Sequence, residues 1–141
     1  MEPKRGPDLD WDLLQQRHGR QLHAFDKHVP PSDYATFDAW RTATQTYQAT
    51  VLRHHIETFR RLKYRPTGGF CFFMLNDSGP MVSWSVLAHE RNPKLAYQAV
   101  VAACRPVLVV AGRLPATGPA GGTRALDVHV VSDVRRLLEG T

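Results

Sequence analysis

Apolar and polar positions along this chain fall into several distinct textures. Trp11, Leu14, Leu22 and Phe25 recur at near-helical spacing and predict a helix over about residues 11–27, weakened at Gly19 and ended by Val29-Pro30-Pro31. A longer helix is predicted from about Tyr34 to Lys63. Tyr34, Phe37, Trp40, Tyr47, Val51, Phe59 and Leu62 mark its broad apolar face, with Ala43 and His54 or His55 in line to continue it. Ser32 or Asp33 is placed to cap its start. After the turn Arg65-Pro66-Thr67-Gly68-Gly69, the run Phe70–Leu75 is wholly apolar, the pattern of a strand buried on both faces. It switches abruptly to Asn76-Asp77 and a Gly/Pro/Ser loop, and Asn92-Pro93 then predicts the start of a helix that runs to about Cys104.

Beyond Arg105-Pro106 the pattern changes. Val107–Val110 reads as a strand, PATGPAGG (Pro115 to Gly122) as a turn-rich connector, and Ala125–Val131 as an alternating strand. Leu126, Val128 and Val130 fall on its apolar face, Asp127 and His129 on the other. The first part therefore predicts a βα unit of a parallel α/β fold, and the second the opening hairpin of an antiparallel β-sandwich. The boundary falls near Arg105. A strand apolar on both faces needs neighbours on both edges, and no second strand of that kind is present. The inventory predicts a piece of a larger protein, cut inside two domains. The competing reading is a compact α+β domain with one small antiparallel sheet.

Composition narrows the class. With 43% hydrophobic and 22% charged residues the chain reads as globular, not disordered. No apolar run approaches the roughly 20 residues of a membrane span, and the start MEPKRGPDLDWD has no apolar core of a secretory signal. Cys71 and Cys104 each sit in an apolar pattern and read as buried free thiols. A cytoplasmic location is expected. The net charge of +5 raises the question of nucleic acid. The densest basic stretch holds Arg53, Arg60, Arg61, Lys63 and Arg65 near a predicted helix C-terminus, where cations complement the helix dipole, and no nucleic-acid motif accompanies it.

Candidate chemistry is confined to the exit of the apolar run. Asn76 and Asp77 lie where a parallel α/β strand presents polar groups to a site, and they also fit ordinary turn chemistry. Trp84 could stack on a sugar ring or anchor its loop in the core. Glu57 lies within a helix, Glu2 and Glu139 lie near the ends, and Glu90 alone is in a loop near the strand exit. Nothing in the spacing makes Asp77 and Glu90 a catalytic carboxylate pair. His54-His55 point to different helix faces, and His18, His23 and His28 are spaced by five, so no metal signature emerges. The Gly-rich PATGPAGG lacks the Lys and following helix of a phosphate loop.

The stretch Gly68–Lys94 resembles the end of the catalytic barrel in glycoside hydrolase family 2, in its β-mannosidase-like branch. The resemblance rests on Leu75-Asn76-Asp77, Ser83-Trp84-Ser85, Leu87 and Lys94. It extends back through Tyr47–Lys63 as an outer helix and forward through Arg105-Pro106. Two positions depart from the branch: Phe73, where Trp is frequent, and Ala88, where an acidic residue is frequent. The resemblance implies an α/β fragment. Residues 1–105 would be the last βα unit or units of a TIM barrel, and residues 106–141 the first strands of an incomplete immunoglobulin-like sandwich. It implies a retaining glycosidase acting on β-mannosides without cofactor or metal, whose substrate in the full-length parent is a carbohydrate. Neither a membrane nor a nucleic acid is among the partners it implies, and it leaves the oligomeric state undetermined. The two glutamates of that mechanism lie on earlier barrel strands and have no counterpart here, so no catalytic residue is assigned and the chain alone is expected to be inactive. Asn76, Asp77 and Trp84 are the implied substrate-binding rim. Two rival readings remain: a non-catalytic carbohydrate- or protein-binding module, and, behind it, a basic nucleic-acid-binding protein.

Overall fold

A computed structural model of the chain describes residues 9–18, 22–112, 117–118, 120–137 and 139. The described elements are α1 (Trp11–His18), α2 (Leu22–His28), a 3₁₀ turn (Pro31–Asp33), α3 (Phe37–Arg61), α4 (Leu95–Ala103), β1 (Val107–Ala111) and β2 (Val128–Ser132). Together they form a small α/β unit whose sheet has two strands.

The first predicted helix is described as two segments, α1 and α2, with residues 19–21 outside the described residues. Asp10 caps α1, its Oδ1 accepting from Leu13 N at 2.8 Å. The helices pack on α3 through a small aromatic core. Trp11, Val29 and Trp40 are buried there, with Leu9, Leu14, Phe25, Tyr34, Phe37 and Ala43 packed around them. Trp11 meets Trp40 edge-on at 5.1 Å between ring centroids, an arrangement favoured by the ring quadrupoles. The Trp40 indole N–H donates to Val29 O at 3.0 Å, so this buried polar group is satisfied.

The long helix begins later than the sequence predicts. Ser32 and Asp33 belong to the 3₁₀ turn that starts at Pro31, and Thr36 is the cap, its hydroxyl accepting from Ala39 N at 3.2 Å. Thr36 wins because Pro30-Pro31 hold the chain in a turn at the earlier positions. Trp40, Ile56 and Arg60 are the buried positions of α3, whereas Tyr47 and Phe59, expected on the apolar face, are exposed.

Phe70–Leu75 is not a strand. Its backbone pairs only at its end: Leu75 O accepts from Val86 N at 3.2 Å and from Leu87 N at 2.9 Å, and Asp77 N donates to Leu87 O at 3.0 Å. The expectation fails for a physical reason. A ladder needs a partner on its edge, and among the described residues none runs beside residues 70–74. Phe73 is consequently 75% exposed. The thiols of Cys71 and Cys104 are also exposed, not buried.

Helix α4 lies against α3 with Ala96 and Ala103 fully buried. Its N-cap is Lys94, not Asn92, and no side chain of its own segment caps it. After α4, β1 and β2 pair antiparallel with Val109 opposite Val130. The face carrying Val110 and Val131 is the buried one. Val128 and Val130, which the sequence pattern assigns to the core, stand on the other face, and Val130 is 68% exposed. Alternation reveals that a strand has two faces but not which is covered, and here α3 covers the face that also holds His129. The connector PATGPAGG lies partly outside the described residues.

An ion-pair staple joins the two parts. Asp133, just after β2, pairs with Arg60 Nη2 at 2.7 Å and with Lys63 Nζ at 2.5 Å. Arg60 Nη1 also donates to Ala103 O at 2.6 Å, satisfying a carbonyl of the last turn of α4. Arg60 and Lys63, two members of the densest basic stretch, are thus committed to tying α3 to α4 and to the hairpin.

Candidate functional site

The exit loop is organised around one buried carboxylate. Asp77 is 3% exposed, and both of its oxygens are engaged. Its Oδ2 lies 2.8 Å from Lys94 Nζ, and its Oδ1 accepts from the Ser83 hydroxyl. Ser83 Oγ in turn accepts from Ser85 N at 3.0 Å. Lys94 Nζ donates to Ser85 Oγ at 2.7 Å, and Ser85 Oγ donates to Leu87 O at 2.8 Å. A fully connected polar cluster of this kind rigidifies the backbone that carries it.

The electrostatics follow from these contacts. Burial pushes the Asp77 carboxyl up, but hydrogen bonds from Lys94 and Ser83, with the Lys94 charge, outweigh it and hold the group below the usual carboxylate range. Asp77 is therefore an ionised anchor with a partner on each oxygen, and its part is to hold the loop.

The loop is also fastened from below. Gln48 of α3 donates through Nε2 to Trp84 O at 2.6 Å and to Ser85 O at 3.2 Å. One turn earlier, Gln45 Oε1 accepts from Leu95 N at 3.2 Å, a cap for α4 supplied by another helix. Lys94 N donates to Val86 O at 2.9 Å, which closes the loop onto the helix start.

Of the three sequence-identified rim residues, Asp77 points inward, while Asn76 and Trp84 remain on the surface. The Asn76 amide donates to Asp77 O at 3.1 Å, and Trp84 is 47% exposed. Glu90 is not paired with Asp77: its oxygens meet Asn92 Nδ2 at 3.2 Å and His89 Nε2 at 3.8 Å. Among the described residues no group of three or more His, Cys, Asp or Glu side chains could hold a metal ion, and no helix is long and apolar enough to cross a membrane. Sequence reasoning named Ser83 only as part of the Ser83-Trp84-Ser85 motif and missed Gln45 and Gln48 altogether. Two glutamines three apart on one helix face are the only signal, and that signal is common.

The chain is 30% identical over 109 residues to Beta-mannosidase A of Aspergillus terreus (strain NIH 2624 / FGSC A1156), a match covering 76% of this chain and 11% of the relative. The chain spans about a tenth of the length of the curated relative it matches. A matched span that long in a chain of 141 residues necessarily takes in residues 68–94. The similarity points to a glycosidase-related origin. No family model and no solved structure matches the chain.

Proposed function

We propose that this chain is a piece of a β-mannosidase-like retaining glycoside hydrolase. It supplies one wall of a sugar site and none of the catalytic carboxylates. In this reading residues 1–105 are the end of the catalytic TIM barrel and residues 106–141 begin an immunoglobulin-like domain. Asn76 and Trp84 face a β-mannoside at the rim, and Asp77 holds the loop that presents them.

The observation that carries the reading is the Asp77–Lys94 ion pair, which joins Leu75-Asn76-Asp77 to Lys94, the first and last of the positions on which the resemblance rests. The exposed Phe73 and the bare outer face of the hairpin support it, because a neighbouring barrel strand and a second sheet layer are what such surfaces lack. Retaining chemistry needs two carboxylates about 5–5.5 Å apart. Asp77 is tied to Lys94 and Ser83, and Glu90 is a separate surface group. The purified chain is therefore expected to release no nitrophenol from nitrophenyl β-mannoside above a no-protein blank. Release above that blank, abolished by Asp77→Asn or Glu90→Gln, would overturn the reading.

A further inference from the structure

We propose that Gln48 is a positioning residue that sets where the Trp84 ring stands. The proposal rests on the preceding reading only for what the ring would meet, a sugar; the positioning itself rests on geometry. One amide nitrogen of Gln48 serves two consecutive carbonyls, those of Trp84 and Ser85. The amide on the other side of the same peptide, Ser85 N, is held by Ser83 Oγ, which is itself bonded to Asp77. The Trp84–Ser85 peptide unit is thus gripped at its oxygen from α3 and at its nitrogen from the buried cluster. With that peptide unit held at both its oxygen and its nitrogen, the ring's place is set by the staggered χ1 well of Trp84 and its broad, roughly two-fold χ2. Gln48 reaches the loop from a helix 36 residues earlier, so the placement is a tertiary one.

Trp84 can be read separately, because the other two tryptophans, Trp11 and Trp40, are buried. Iodide quenching of the full chain's fluorescence therefore reports on Trp84, and amide hydrogen exchange over residues 83–87 reports on its loop. Gln48→Met is expected to change the quenching constant at least about twofold and to raise exchange over residues 83–87 by about tenfold, with helix content unchanged. Gln48→Glu, which keeps the side chain's size but turns an acceptor toward the two carbonyls, is expected to do the same. Gln48→Lys, which retains an N–H donor, is expected to restore wild-type quenching. Gln45→Leu is the control for general loosening between α3 and α4: it is expected to raise exchange at the start of α4 and leave Trp84 quenching as in wild type. Wild-type quenching and exchange in Gln48→Met and Gln48→Glu would overturn the proposal. So would a change in Trp84 quenching in Gln45→Leu as large as that in Gln48→Met. None of these readouts involves a sugar, so failure of the glycosidase reading would appear in the hydrolysis assay and not here.

Discussion

Lys94 Nζ stands 2.8 Å from Asp77 Oδ2; the Asp77 side chain is almost wholly removed from solvent and that of Lys94 is partly so. Two residues 17 positions apart thereby close the exit loop into a unit on the N-terminus of α4. Removing Lys94 leaves the Asp77 charge buried and uncompensated, at a cost of up to about 3–5 kcal/mol; removing Asp77 strands a partly exposed ammonium and costs less. Lys94→Met is expected to lower stability by about that amount in urea unfolding, Asp77→Leu by less, and the double variant to lose less than the sum. Additive losses would mean that the two groups act independently.

Acid and alkali should act on different groups. The Lys63 hydrogen bond, opposed by burial and aided by the Arg60 and Lys63 charges, holds the Asp133 carboxyl below its ordinary range. Asp77 is also depressed. A depressed carboxyl contributes stability that is complete above its unfolded value, about 4, and is lost as the pH falls through the folded value. Lys63 is raised, chiefly by its hydrogen bond to Asp133, so its contribution is complete below about 10 and is lost as the pH rises through the folded value. Thermal midpoints measured across pH should fall on both sides, and Asp133→Asn should flatten the alkaline limb and part of the acid limb. An unchanged pH profile in Asp133→Asn would contradict this assignment.

The N-terminal core has a single hub. Trp40 packs against Trp11, Phe25 and Phe37 and donates its indole N–H to Val29 O. Trp40→Ala is expected to cost about 3–5 kcal/mol, and Trp40→Phe less, although it leaves the Val29 carbonyl without this donor. Urea midpoints of the two variants, ranked in that order, are the check. A loss under about 1 kcal/mol for Trp40→Ala would mean that α1 and α2 are not stabilised through this residue.

How much of this was legible in the sequence differs by element. Periodicity located both long helical regions, a run of branched apolar residues located β1 and two-residue alternation located β2, because local pattern is enough to mark an element's type. The cap at Thr36 was hidden by two better-looking candidates upstream, which Pro31 draws into a turn. Phe70–Leu75 has the composition of a buried strand, yet composition cannot supply the neighbour that makes it one. At the site, Asn76, Asp77 and Trp84 were visible as loop chemistry. Their division into one inward anchor and two outward groups was not, because it depends on Lys94 and on Gln48 of a distant helix. The same holds for the basic stretch, where the commitment of Arg60 and Lys63 to Asp133 spans some 70 positions.

If residues 68–94 form a wall of a β-mannoside site, as proposed, the stretch should serve in a related enzyme. The most direct test is the activity of a chimera in which this stretch replaces the matching stretch of the Aspergillus terreus β-mannosidase A. A soluble chimera is expected that hydrolyses nitrophenyl β-mannoside within about tenfold of its parent's rate, a difference of roughly 1.4 kcal/mol in the barrier. A folded chimera with no hydrolysis above the blank would contradict it.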